Sequence, residues 1–383
     1  MALRRKPAVT PLTTEQVDAN VPPSLRIAGA YSWRLLLVVA VVGVVIFVIA
    51  QLKDIVVPFM IAILVAALLV PLVNFLVRHR WPKALAVALA MVGTLAVVSG
   101  LIFVIVSQIR SGYPDLQERS LKAYDDFKDF LATSPLQLDD AQIQGYIDQA
   151  LAALQKDSQA LLSGALSVGT TAGHVLAGLL LVLFATLFIL IDGKGIWAWI
   201  VRLFPRRSRV ALDGSGRAGW ITLTTFVKVQ IFVAAVDAIG IGLGAWILGL
   251  VFGGFPLVIP IAIAVFLGSF IPVVGAVLTG AIAVFVALVY LGPLPALIMV
   301  GVVLLVQQVE GHILQPLVMG SAVKVHPLAV VFAVAAGSFL AGIPGALFAV
   351  PVIAVANVMV KYIAAGQWKT NPDPTAKELL PDA

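Results

Sequence analysis

The chain has 383 residues, 61% of them hydrophobic and only 11% charged, with a mean hydropathy of +1.06. A soluble globular domain carries about 25% charge, so composition excludes that class and points to an integral membrane protein. Cysteine is absent, which removes disulfides, thiolate nucleophiles and cysteine metal sites, and the net charge of +6 gathers beside apolar blocks, a topology signal rather than a nucleic-acid surface.

A bilayer core roughly 30 Å thick requires about 20 residues of helix. Residues 1–33 form a polar, Pro- and Thr-rich N-terminal tail, which reads as cytoplasmic and leads into a retained anchor rather than a signal peptide. Three spans follow within 34–109, at 34–52, 55–77 and 83–109. Arg78, His79, Arg80 and Lys83 between the second and third, with Arg4, Arg5, Lys6, Arg26 and Arg34 in the tail, predict a cytoplasmic location for both. The segment 110–165 is then external. Leu121, Tyr124, Phe127 and Leu131 recur at helical spacing, as do Ile143, Ile147, Ala150, Leu151 and Leu154, with Ser134 and Pro135 between them. That pattern predicts a small extracytoplasmic amphipathic helical hairpin serving as a lid or packing element.

The transport core is read as 166–363. Its first span, 170–191, leads into a basic cytoplasmic loop at 192–224 holding Lys194, Arg202, Arg206, Arg207, Arg209 and Arg217, with Trp197, Trp199 and Trp220 suiting an in-plane helix. The next span, 225–250, contains the small-residue run GIGLG at 240–244 and an acid, Asp237. Two later apolar blocks, 255–270 and 327–341, are too short to span, and each runs into Ile-Pro and a glycine. Interrupted helices at membrane depth free backbone groups that lipid cannot satisfy, so they belong where protein or a water-lined cavity can. AVFLGSF at 264–270 recurs as AVAAGSF at 333–339, and paired interrupted segments are a trace of a repeat-built transporter site. Lys361 and Lys369 predict a cytoplasmic tail at 364–383. The fold expected is an all-α polytopic membrane protein of about eight transmembrane helices, two re-entrant or broken-helix hairpins and the small external hairpin.

Between the repeat copies lies LLVQQVEGHILQPLVMG, 304–320. On an α-helix Gln307, Glu310 and Leu314 would share one face, and Gln308, His312 and Gln315 another, giving a broad polar patch inside an apolar run. Ionisable groups within spans mark solute or ion pathways, so Glu310, Gln307, Gln308, His312, Gln315 and Asp237 are the candidate pathway residues. Glu310 or Asp237 would serve if coupling to protons or sodium occurs. His79, His174, His312 and His326 form no H-E-x-x-H pair, no G-x-S-x-G elbow occurs, and DGSGRAG at 213–219 lacks a phosphate-loop lysine. No catalytic residue, metal or cofactor is expected.

GSFIPVVGAVLTG at 268–280, QQVEGHILQPLVMGSAVKVHPL at 307–328 and GSFLAGIPGALFAVPVIAV at 337–355 together resemble the autoinducer-2 exporter family, also called PerM-like permeases. The pattern falls on Pro272 and Gly275, on Gln308, Glu310, Gly311 and Pro316, on His326 and Pro327, and on Gly342, Gly345, Ala349 and Pro351. Order and spacing hold over 220–363. The resemblance implies an inner-membrane transporter that is a homo-oligomer, linked to export of small signalling molecules or to sodium-proton exchange. It implies hairpin and hinge roles for Pro272, Gly275, Gly311, Pro316, Pro327, Gly342, Gly345 and Pro351. Membrane lipid and a small-molecule or ion substrate are the expected partners, with no nucleic acid. The readings to separate are export of a small polar solute such as a quorum-sensing signal, sodium- or lithium-proton antiport, and a non-transporting membrane scaffold.

Overall fold

A computed structural model describes residues 22–133, 168–271, 274–319, 327–375 and 378. Pro272, His326 and the second half of the expected external hairpin lie outside these, as do the side chains of Gln315, Pro316 and Pro327. All the regular structure described is helical. In chain order it comprises α1 Pro23–Gln51, α2 Lys53–Arg78, α3 Lys83–Thr133, α4 Val168–Arg202, α5 Arg209–Phe252, α6 Val258–Gly268, α7 Val274–Leu291, α8 Pro293–Val309, a π-helix Glu310–Met319, α9 Pro327–Ala364 and α10 Gln367–Thr370.

The chain divides into two compact units, Met1–Val56 and Val57–Ala383. The first contains α1, a rod whose apolar side chains, Leu36, Val41 and Phe47 among them, are exposed along its length. Exposed apolar side chains in this density are stable in hydrocarbon and not in water.

Across the described residues, helix length sorts rods from hairpins. Seven described helices are long and apolar enough to cross a membrane: α1 to α5, α8 with the start of the π-helix, and α9. The last is not one rod. Ala341 (φ −140°, ψ 20°) and Gly342 (φ 62°, ψ −142°) leave the helical region, and the left-handed angle at Gly342 is one that glycine adopts without a Cβ clash. In a straight helix Gly337 and Gly345 would stand roughly 12 Å apart. Instead, a Cβ built on either one would overlap the carbonyl oxygen of the other, so the chain folds back on itself there. The pair α6 and α7 does the same one repeat earlier, where a Cβ on Gly275 would overlap the carbonyl of Gly268. Seven candidate spans among the described residues compare with the about eight expected, and α7, with 18 residues, is the longer arm of its hairpin and falls just short of that group. The shorter arms, α6 with 11 residues and 327–340, are too short to cross alone.

The hub is α5, which packs against α4, α6, α7, α8, the π-helix, α9 and α10. Its GIGLG run explains the closeness: Gly240 and Gly244 meet Val306 and Val302 of α8, while Gly242 meets Ala262 of α6. Ile241, Ala245 and Leu248 thereby join Ile261 and Val265 of α6, Val286 and Ala287 of α7 and Met299 of α8 in one apolar core. A second core joins Ala66, Leu69 and Val73 of α2 to Val87 and Ala90 of α3 and Leu190 of α4.

With 44 residues, α5 is roughly 66 Å long, about twice the bilayer core, so a substantial part of it projects into water. Its N-terminal base is where polar groups collect. Trp197 Nε1 donates to Asp213 Oδ1 at 2.9 Å, and Arg217 bridges Asp213 (2.9 Å) and Asp373 (2.7 Å). The Tyr362 hydroxyl donates to the carbonyl of Asn371, and Glu378 accepts from Asn371 Nδ2 and the Thr375 amide. On this same face, Lys83 Nζ donates to the carbonyl of Ile191, just before α4 kinks at Asp192 (φ −139°, ψ 38°). The start of α3, the bend of α4, the base of α5 and the C-terminal tail thus meet at one basic end.

Candidate functional site

Asp237 sits one helical stretch up α5 from that base and is 2% exposed. The residues around it explain why it is so deep. Ala234 and Ala238 beside it are small, and the glycines beginning at Gly240 admit α6 and α8 against the same face. What α6 brings is the end of its short arm. Ser269, the residue after α6, donates from Oγ to Asp237 Oδ2 at 3.1 Å, and Gln230 Nε2 donates to the Ser269 carbonyl at 2.7 Å. Two residues of α5, spaced nearly two turns apart, therefore hold the break of the first hairpin. Asp237 Oδ1 is fully buried with no hydrogen-bond partner among the described residues. Such an oxygen costs free energy on the order of 1–3 kcal/mol, more when charged, and marks a place where a further group binds.

The second carboxyl comes from the π-helix. Glu310 is half-buried and near enough for its charge to act on Asp237. Its amide bonds to the carbonyls of both Gln307 and Val306, and from there the chain winds with more residues per turn. Leu314 anchors this turn, buried against Val229 and Val233 of α5. The expected patch is altered only beyond Glu310: Gln307 and Gln308 still lie on α8, whereas within the π-helix a spacing of three and four residues no longer brings side chains onto one face. Gln307 lines a groove of about 250 Å³ between α7 and α8, with Val277, Gly280, Val284 and Val303. Gln308 and His312 are exposed, with His312 Nδ1 3.3 Å from the Gln308 carbonyl, and Gly311 has open space around it. Of the six expected pathway residues, Asp237 is buried with Glu310 within electrostatic reach, Gln307 is half-buried, and Gln308 and His312 are exposed.

The hinge glycines play distinct parts. Gly275 meets Gly268 and Gly345 meets Gly337, one pair per repeat, while Gly342 makes the second break and Pro351 is buried in the long arm of α9. The repeats differ at the serine. Ser269 reaches Asp237, whereas its counterpart Ser338 is exposed and donates only within its own arm, to Val334. Ser269 and Gln230 were absent from the sequence-derived site. The signal for Ser269 was present, since it is the serine of the repeated GSF, but nothing in one chain pairs it with an acid 32 positions away.

Among the described residues no group of three or more His, Cys, Asp or Glu side chains could hold a metal ion. Long apolar rods, two folded-back hairpins and a buried carboxyl at one of the breaks define a multi-pass α-helical membrane transporter. The chain belongs to the AI-2E family transporter family, which it matches over residues 35–365. It is 40% identical to Putative transport protein MT0215 of Mycobacterium tuberculosis, over 91% of this chain and 94% of that protein. It is 25% identical to AI-2 transport protein TqsA of Escherichia coli, over 82% of this chain and 88% of that one. With Putative transport protein YueF of Bacillus subtilis it shares 30% identity over 55% of each.

Proposed function

We propose that this protein is a secondary transporter that exports a small polar solute of the AI-2 kind, and that it catalyses no covalent reaction. The observation that carries the reading is the buried carboxyl of Asp237, bonded to Ser269 at the break of the first hairpin, with a second carboxyl, Glu310, within electrostatic reach. Irregular backbone at membrane depth persists only where protein or a water-filled cavity satisfies it, and that is where transporters gather polar groups. Glu310 and Gln307 serve as solute contacts at the mouth of this region, and Asp237 lies deeper on α5. The solute class is supported by the name of the Escherichia coli relative, AI-2 transport protein. Basic residues gathered at one end of the rods favour an inner-membrane protein with both tails in the cytoplasm. Homo-oligomeric assembly is part of the same reading, as the apolar first arm of α9, with Phe339 91% exposed, leaves surface for lipid or a second copy.

The test is efflux of AI-2 from inside-loaded proteoliposomes. Wild type is expected to accelerate it above protein-free vesicles, and Glu310→Gln to lose at least about tenfold of that rate, about 1.4 kcal/mol of barrier. An unchanged rate in Glu310→Gln removes the assignment. A second reading, sodium- or lithium-proton antiport, is favoured by the unpartnered oxygen of Asp237. It requires sodium pulses to alkalinise acid-loaded vesicles in the absence of AI-2.

A further inference from the structure

The hydroxyl of Ser269 faces two acceptors with one proton. Its Oγ is 3.1 Å from Asp237 Oδ2 and 2.8 Å from the carbonyl of Val265, and a hydroxyl donates a single bond. With Asp237 ionised, these two acceptors compete and the buried carboxylate has at most one donor. With Asp237 protonated, the competition ends. The acid donates to Ser269 Oγ, and Ser269 donates to Val265, so the line from α5 to the end of α6 is satisfied throughout. Gln230 pins the carbonyl of the same serine, which fixes Ser269 in place for either arrangement.

The charged surroundings favour a cation's arrival at this point. The elements packed on α5 carry few titratable groups near it. There are none on α6 or α8. On α7 there is Tyr290, beneath Arg119 of α3 with its guanidinium 5.2 Å from the ring. The π-helix brings Glu310 and the exposed His312. Lys361 and Tyr362 of α9, Lys369 of α10, and Asp192, Lys194 and Arg202 of α4 belong to the basic end, with His174 near the far end of α4. On α5 itself the nearest base is the exposed Lys228, nine residues away and roughly 13 Å along the axis. Asp237 accordingly lies within electrostatic reach of a second carboxyl and is bonded to the residue that ends α6, and both a carboxylate and a helix C-terminus attract positive charge.

We infer that Asp237 is the proton-carrying site of this transporter: its carboxylate takes one proton from water on one side of the membrane and releases it on the other, while the solute moves the opposite way. Ser269 couples that proton to the first hairpin by turning its hydroxyl between Asp237 and Val265. The inference rests on the transporter reading above, and its tests fail separately from that reading.

The first test needs no solute. Infrared difference spectra of the purified full chain in lipid, recorded across a pH titration, are expected to contain a protonated-carboxyl band that disappears in Asp237→Asn and persists in Glu310→Gln. A titration without such a band, or a band unchanged in Asp237→Asn, overturns the site whether or not AI-2 is a substrate. The second test uses AI-2-loaded proteoliposomes with an entrapped pH dye. Efflux is expected to acidify the interior in wild type, and Asp237→Asn to lose that signal while AI-2 exchange across the membrane remains measurable. Loss of exchange as well, in protein with wild-type Tm, makes Asp237 a solute contact and overturns the inference; so does acidification that requires sodium. Where Asp237→Asn does not fold, Asp237→Glu is the substitute, expected to keep the band at a shifted frequency and to keep the acidification. Vesicles in which wild type moves no AI-2 count against the proposed solute alone, and the infrared band then decides the site.

Discussion

Ser269 is bound to an acid on one side and to its own helix on the other, so its removal separates two effects. Ser269→Ala leaves a buried carboxylate without its donor, which costs on the order of 1–3 kcal/mol. A lower Tm in detergent is the expected outcome. Combined with Asp237→Asn the loss should be less than the sum of the two single changes, because the second removes the partner that the first leaves stranded. An additive result would mean that the two side chains do not interact. The sequence makes Asp237 visible as an acid in an apolar run, and Glu310 likewise, since charge at that depth is rare enough to stand out. It does not make their electrostatic proximity visible, because they lie on different helices. Nor does it make Ser269 visible, since a serine in an apolar run costs little and raises no alarm.

At the level of elements, the two hairpins depend on backbone touching backbone. Gly275→Ala places a methyl group into the carbonyl of Gly268, and rigid backbone cannot yield as a side-chain end can. Overpacking of this kind costs about 1–3 kcal/mol. Gly100 in α3 has nothing within 4 Å of where its Cβ would be, so Gly100→Ala should be neutral or stabilise by up to about 1 kcal/mol through helix propensity. Thermal unfolding of both variants against wild type checks the contrast, and equal shifts would contradict the close approach. These breaks were legible: each has a block too short to span, then Ile-Pro and glycine, and the duplicated GSF ties them together. The π-helix was not legible. Within it Leu314 seats against Val229 and Val233, a tertiary contact, while residue spacing read along the chain assumes the α repeat.

For the molecule as a whole, the alternation of apolar blocks and charged segments carries most of the architecture, because lipid imposes the length of every rod. The clasp at the basic end comes instead from residues far apart in the chain, Arg217 with Asp373 above all. Within the tail, the Glu378 carboxyl is held below the usual carboxylate range, first by the Thr375 amide and then by Asn371. A lowered value means the carboxylate's bonds are complete above the ordinary carboxylate range and are lost as pH falls through the depressed one. The bonds from the Thr375 amide and Asn371 should therefore hold at neutral pH and weaken only in acid, and Glu378→Ala should remove them at every pH, which hydrogen exchange at the Thr375 amide measures. Unaltered exchange in that variant would contradict the cap. Between the clasp and the buried acid runs α5, one unbroken helix, and its continuity has a mechanical consequence. Asp237 and Arg217 are twenty residues apart, roughly 30 Å. A tilt of about 5° pivoting at Asp237 would swing Arg217 by roughly 2.6 Å, so the rod works as a lever. The throw is comparable to the 2.7 Å reach between Arg217 and Asp373, enough for a small adjustment at the acid to be felt as a made or broken ion pair at the tail.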